Sequence, residues 1–152
     1  MDIFVRKSSA KNKIEAIHEL VEYLCKIGYV KKTYEEAIHV RESDFPTGLE
    51  LQGSYNVAIP HAETEHVIRP AIALAILEDS IEWESMEDPD INISVHLVFL
   101  LAIKDPKMVV PNLQALTENV FSKPEVVATI RTSNDFENIK TTLHKLITTR
   151  LE

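Results

Sequence analysis

The chain has 152 residues, 16 Lys plus Arg against 24 Asp plus Glu for a formal charge of −8, and only 3 glycines. One domain of ordinary size accommodates that length. The acids are spread along the chain and no basic block opposes them, which argues against a nucleic-acid or anionic-membrane binder, and so few glycines leave no glycine-rich phosphate loop. The single cysteine, Cys25, has no intrachain disulfide partner and fits a reducing cytosol. The start Met1-Asp2-Ile3-Phe4-Val5-Arg6 lacks the pattern of a secretory leader, and the longest apolar run, Leu97 to Ile103, is far short of the ~20 residues that span a bilayer. The expected location is the cytoplasm, without membrane insertion.

Ile3 to Val5 predicts a first strand. Ile14, Ile17, Leu20, Val21 and Leu24 recur at steps of three and four and predict an amphipathic helix. Asn12 with Glu15 makes its capping box, and Gly28 suits the position just beyond its end. Thr33 with Glu36 opens a second helix, to about Glu42, before Pro46 and Gly48 break the pattern. Leu49 to Leu51 and Val57 to Pro60, separated by Gln52-Gly53-Ser54, predict a hairpin or a turn feeding a short strand. Ala71 to Leu77 predicts a buried strand. Ile91 to Ile93 alternates weakly, and Val95 to Ile103, apolar on both faces, predicts a central strand. Three helices follow: one from Asp105 or Val110 to Phe121 with Pro111 in its first turn, one opening at Ser122 with Pro124 in its first turn and Glu125 closing a capping box, and one from Asn134 to Arg150. A sheet with helices before, between and after it is an α/β sandwich in one domain, 1–152.

No nucleophile elbow, Walker loop, dinucleotide fingerprint or cysteine pair occurs. Cys25, on the first helix beside Leu24, is expected to be a small buried side chain. Of the six histidines, His18 and His144 lie in helices of ordinary surface composition. His39 is placed to meet the negative end of its helix. His96 interrupts a strand start and is expected to be a satisfied sheet histidine. His61 differs. It follows Val57-Ala58-Ile59-Pro60, so it stands where a buried strand emerges, and the proline stiffens its approach. Ligands of open α/β sheets bind at such strand ends. Three readings of His61 stay open on these residues. It is a phosphoryl-accepting nucleophile, or a metal ligand within His61-x-Glu63-x-x-His66, or a turn residue.

The segment Arg41-Glu42-Ser43-Asp44-Phe45-Pro46-Thr47-Gly48-Leu49, continued by Val57-Ala58-Ile59-Pro60-His61-Ala62-Glu63, resembles the phosphohistidine signature of the fructose/mannitol class of enzyme IIA of the bacterial sugar phosphotransferase system (PTS EIIA type 2). Arg-Glu-x-x-Phe-Pro-Thr-Gly together with Glu63 and His66 is most similar to the galactitol-type members. The resemblance implies a three-layer α/β/α sandwich with a mixed, mostly parallel central sheet. It implies that His61 accepts a phosphoryl group from phospho-HPr through Nε2 and passes it to a cysteine of a cognate IIB, which serves the membrane component IIC, with no metal and no cofactor. Arg41 and the Thr47 hydroxyl are then expected to steady the phosphoryl group, and Glu63 or His66 to orient the imidazole. Phe45, Leu49 and Tyr55 are expected to form the apolar part of the partner surface. Mannitol-type members carry a second histidine near the position of Lys107-Met108-Val109, where this sequence has none, which leaves His66, His96 or backbone donors as helpers. Relatives that regulate nitrogen metabolism or transcription supply the alternative: a module whose His61 phosphorylation is read by a partner protein.

Overall fold

The centre of the molecule is a long antiparallel pair. In a computed structural model that describes residues 1–151, with side chains for residues 1–148, β4 (Ala71–Glu84) runs against β5 (Asn92–Ala102). β1 (Asp2–Ser8) joins β4 in parallel, β3 (Val57–Ala58) joins β5 in parallel, and β2 (Gly48–Leu49) closes the far side antiparallel to β3. The order is β1-β4-β5-β3-β2. The sheet is mixed, with two parallel and two antiparallel pairings, so its parallel share is smaller than the resemblance implied. Glu152, the last residue of the expected domain, lies outside the described residues.

Helices cover both faces. Alternate residues of the central strands, Ala73, Ala75, Val98 and Leu100 among them, face α1 (Lys13–Lys26) and α2 (Tyr34–Asp44). The intervening residues, Leu74, Ile76, Leu97 and Phe99, face α3 (Val109–Leu116), α4 (Pro124–Thr132) and α5 (Phe136–Leu151). Strands buried on both faces have no polar alternation, which is why both read as near-continuous apolar runs. The expected strand at Ala71–Leu77 stops short of the observed one because Glu78, Asp79 and Ser80 are exposed at a register shift between Ile76 and Ile81. Beyond it the pairing resumes and takes in Ile91 to Ile93.

Local signals set most of the helix ends. The Asn12 side chain accepts from the Glu15 amide at 2.9 Å and the Glu15 carboxylate accepts from Lys11 N at 2.8 Å. Gly28, at φ 84°, ends α1: its amide reaches Cys25 O and the Tyr29 amide reaches Leu24 O at 2.8 Å, a Schellman arrangement. The buried stripe of α1 is Ala16, Ile17, Leu20, Val21 and Leu24. Ile14 sits at its rim and is 64% exposed, contrary to the face expected for it. Cys25 is half-buried rather than buried. Pro111 falls in the first turn of α3, and the expected single helix to Phe121 continues as a π-helical turn, Thr117–Phe121. Two expected capping boxes do not form. Ser122 gives its hydroxyl back to Glu118 O, and the Thr33 hydroxyl is hydrogen-bonded to His66 Nδ1. Among the described residues no helix is long and apolar enough to cross a membrane.

Candidate functional site

Parallel pairing of β3 with β5 carries the chain past Ala58 to Pro60, whose carbonyl still accepts from Leu101 N at 3.1 Å. His61 therefore leaves the sheet beside the C-terminal end of the central strand. Its Nδ1 lies 2.8 Å from the carbonyl oxygen of Ile59. A carbonyl only accepts, so Nδ1 carries the proton and the neutral ring keeps its lone pair on Nε2. Burial pushes the imidazole pKa below its ordinary value. The Ile59 bond opposes that shift, the Arg41 guanidinium adds to it and Glu63 opposes it. The result is a neutral imidazole of fixed tautomer near a fixed cation, suited to nucleophilic attack on an anionic phosphoryl group.

Arg41 comes from the last turn of α2. Its guanidinium lies 5.6 Å from the centre of the Phe45 ring and, among the described residues, joins no salt bridge. A cation left unpaired at a helix end, with its fork free, is available to a dianionic ligand. With Glu63, His66, Phe45 and Val40 it lines a groove of about 550 Å³ between α2 and the segment after His61. The short helical turn Thr64–His66 folds back against the start of α2 here. Val67 N bonds Thr64 O, and Lys31 N bonds His66 O at 2.8 Å.

Of the other expected residues, Glu63, His66 and Thr47 lie nearby, with different duties. Glu63 is exposed and acts on His61 only through its charge; no hydrogen bond joins them among the described residues. His66 Nδ1 lies 2.7 Å from Thr33 Oγ1, and its ring tilts over Tyr34 at 6.2 Å. Neither of them holds the imidazole of His61: the Ile59 carbonyl does, and it is closer because it belongs to the same rigid strand exit. Thr47 is 4% exposed and donates its hydroxyl to Glu42, so the proton expected to meet a phosphoryl group is already engaged. His96 is at the wrong end of the strand. It accepts from Asn56 N at 3.2 Å, five residues before His61, about 16 Å away at strand spacing. Tyr55 goes with it, edge-on to the His96 ring at 5.1 Å, so of the expected apolar surface only Phe45 adjoins the groove. His39 meets Glu35 at 3.3 Å instead of a helix-end carbonyl. Among the described residues no group of three or more His, Cys, Asp or Glu is arranged to hold a metal, so His61, Glu63 and His66 are not a ligand set.

Sequence reasoning gave no role to three participants. The Ile59 carbonyl carries no side-chain signal at all. Thr33 read as a helix cap. Glu42 stood in plain view beside Arg41, but nothing in the pattern says that it turns inward; it is 2% exposed, whereas Arg41 is only half-buried.

A protein-family profile described as "Phosphoenolpyruvate-dependent sugar phosphotransferase system, EIIA 2" matches residues 1–146. The chain is 29% identical over 132 residues to the galactitol-specific EIIA component of Escherichia coli K12, covering 86% of each. It is 39% identical over 95 residues, 61% of this chain, to the fructose-specific EIIABC component of Bacillus subtilis 168, of which it spans 14% of the length. It is 32% identical over 117 residues, 77% of this chain and 15% of the other, to the transcriptional regulator ManR of the same organism. Its fold matches the E. coli complex of enzyme IIA and phosphorylated enzyme IIB for mannitol, with a TM-score of 0.72 at 23% identity over 95% of this chain and 94% of that one.

Proposed function

This chain belongs to the EIIA 2 family of the phosphoenolpyruvate-dependent sugar phosphotransferase system, and from that premise we propose that it is a cytoplasmic phosphocarrier with His61 as its phosphoryl-accepting nucleophile. One observation carries the reading: Nδ1 of His61 is engaged by the Ile59 carbonyl, which leaves a neutral Nε2 free at a strand end.

In the forward step Nε2 attacks the phosphorus of phospho-HPr. A new N–P bond forms as the donor's N–P bond breaks, and the donor imidazole leaves with its electron pair. In the second step a cysteine thiolate of the cognate IIB attacks the same phosphorus, and His61 departs neutral. No proton has to leave Nδ1 in either step, so the Ile59 bond persists through both. Arg41 offers its forked donors to the phosphoryl oxygens, and the cation also offsets the charge that builds in the transition state. Residues 1–152 form one EIIA domain. Through IIB the chain serves a membrane IIC, and the likeness to the galactitol-specific component favours a galactitol-like sugar. No metal or cofactor enters this scheme.

The test is incubation with phosphoenolpyruvate, enzyme I and HPr, followed by intact mass and site mapping. One acid-labile phosphoryl group on His61 supports the reading; none on a folded chain overturns it. A regulatory reading is favoured by the likeness to ManR. In that case His61 takes the phosphoryl group, but no IIB removes it, so adding the cognate IIB to the phosphorylated chain separates the two.

A further inference from the structure

We propose that the buried carboxylate of Glu42 is a positioning residue for phosphoryl transfer, acting on His61 through Thr47 and Ile59. This rests on the reading of His61 as the nucleophile.

Glu42 follows Arg41 in the last turn of α2, and successive residues of a helix point about 100° apart. Arg41 is thereby turned to the groove and Glu42 to the sheet, where it is 2% exposed. A carboxylate so placed is costly unless several donors meet it. Three do. Its Oε1 accepts the Thr47 hydroxyl, and its Oε2 accepts the Thr47 amide and the Trp83 indole N–H, each at 3.2 Å. Burial pushes the Glu42 carboxyl pKa above its ordinary value, and the Thr47 bonds, the Lys13 charge and the Trp83 bond oppose that shift; Lys13 itself pairs with Glu84 at 3.0 Å. Two of the three donors belong to Thr47, so Glu42 fixes that residue from two directions at once.

Thr47 is not a terminus of this linkage. Its carbonyl accepts from Ile59 N at 3.3 Å, and the Ile59 carbonyl in turn accepts from Nδ1 of His61 at 2.8 Å. The peptide group that selects the reactive nitrogen is thus anchored, through one backbone bond and one residue, to a buried anion. Trp83 ties the same anion to the central strand β4, itself fully buried. The next residue allows no slack either: a Cβ on Gly48 would stand 2.6 Å from the Glu84 carbonyl oxygen. The Arg-Glu and Pro-Thr-Gly segments are therefore joined to the Pro-His segment by hydrogen bonds, with the anion at the junction.

Glu42→Gln removes the charge at constant size. The amide oxygen still accepts from Thr47 N and Trp83, but the amide nitrogen now donates to the Thr47 oxygen, which weakens the grip on that segment. Three measurements are made: the urea midpoint, the single-turnover rate from phospho-HPr, and the ring 15N shifts of His61 in the unphosphorylated protein. The expected result is a folded variant whose rate falls about tenfold or more and whose His61 spectrum moves away from a pure Nδ1–H tautomer. Thr47→Val, which deletes the hydroxyl at similar shape, breaks the same link from the other side and should move the spectrum the same way even if Glu42→Gln fails to fold. A folded variant with wild-type rate and an unchanged His61 spectrum overturns the proposal. So does a loss of stability alone, with the ring signals unmoved. Because the spectrum needs no phosphoryl donor, it is read independently of the functional assignment. A wild type that takes no phosphoryl group from active phospho-HPr overturns that assignment and this role together, whatever the spectra show.

Discussion

The imidazole of His61 is held by the carbonyl oxygen of Ile59, 2.8 Å from Nδ1, and this one bond decides which ring nitrogen is left to react. The phosphoryl group is therefore expected on Nε2. Phosphorus and nitrogen NMR of the phosphorylated chain reads the position directly. His61→Ala should take up nothing, while His18→Ala and His144→Ala should take up a full equivalent. A phosphoryl group on Nδ1, or a full equivalent on His61→Ala, would remove the assignment.

The titration of His61 has a definite sign. Burial, assisted by Arg41, lowers its pKa below the ordinary 6.5, against the pull of Ile59 and Glu63. The unfolded ring takes up its proton near 6.5, whereas the folded ring waits for a lower pH. Between those values the unfolded state binds more protons, so the stability gained from the neutral ring is complete above 6.5 and is lost as pH falls toward the folded pKa. His18 goes the other way, raised by its hydrogen bond to Glu35. An NMR titration should place the His61 midpoint below 6.5 and the His18 midpoint above it. The rate from phospho-HPr should hold steady down through pH 6.5. A His61 midpoint at or above 6.5 contradicts a nucleophile kept neutral by its surroundings.

Arg41→Lys keeps the charge but loses the planar fork. The side chain is half-buried against Phe45 and joins no salt bridge among the described residues, so the urea midpoint should barely move. Transfer should slow about 10–100-fold, equivalent to ~1.4–2.7 kcal/mol of transition-state stabilisation. An unchanged rate leaves Arg41 without a catalytic role. A joint collapse of rate and midpoint makes it structural.

Phe45 and Val40 are 65% and 58% exposed beside the groove that holds Arg41, Glu63 and His66. Large apolar side chains this open contribute little to folding, but aromatic anchors dominate many interfaces. Phe45→Ala should cost at most ~1 kcal/mol of stability, the scale of its contact with Arg41. It should weaken HPr and IIB binding by at least ~1 kcal/mol, about fivefold in Kd. Calorimetry or NMR titration with each partner measures this, and equal affinities would place the docking surface elsewhere.

Gly48→Ala tests the rigidity of the segment behind the site. The added Cβ would stand 2.6 Å from a main-chain oxygen at Glu84 and 3.3 Å from Ile93 Cδ1. Backbone in a paired strand gives way poorly, so the substitution should cost ~1–3 kcal/mol in denaturant unfolding. A midpoint within error of wild type would show that this junction is looser than its contacts indicate.

Periodicity and local chemistry determined much of this protein without any fold. The steps of three and four in α1, the Asn12 cap and the Gly28 stop are short-range effects, each satisfied within one turn of helix. The apolar runs marked the central strands because both of their faces are covered. Pro60 before His61 marked a rigid exit, and the order of the Arg-Glu, Pro-Thr-Gly and Pro-His segments marked the family. What the tertiary structure alone decided is how the polar groups are shared among segments far apart in the chain. Thr33 gave up its helix cap for His66, thirty-three residues on. Thr47 turned its hydroxyl to Glu42, and Trp83, from a strand forty-one residues away, met the same carboxylate. His96 read as a possible helper and lies at the opposite end of β3, because a parallel register fixes which ends meet. A donor in a sequence has many acceptors within its chemistry but few within 3 Å, and only packing of the sheet and helices selects among them.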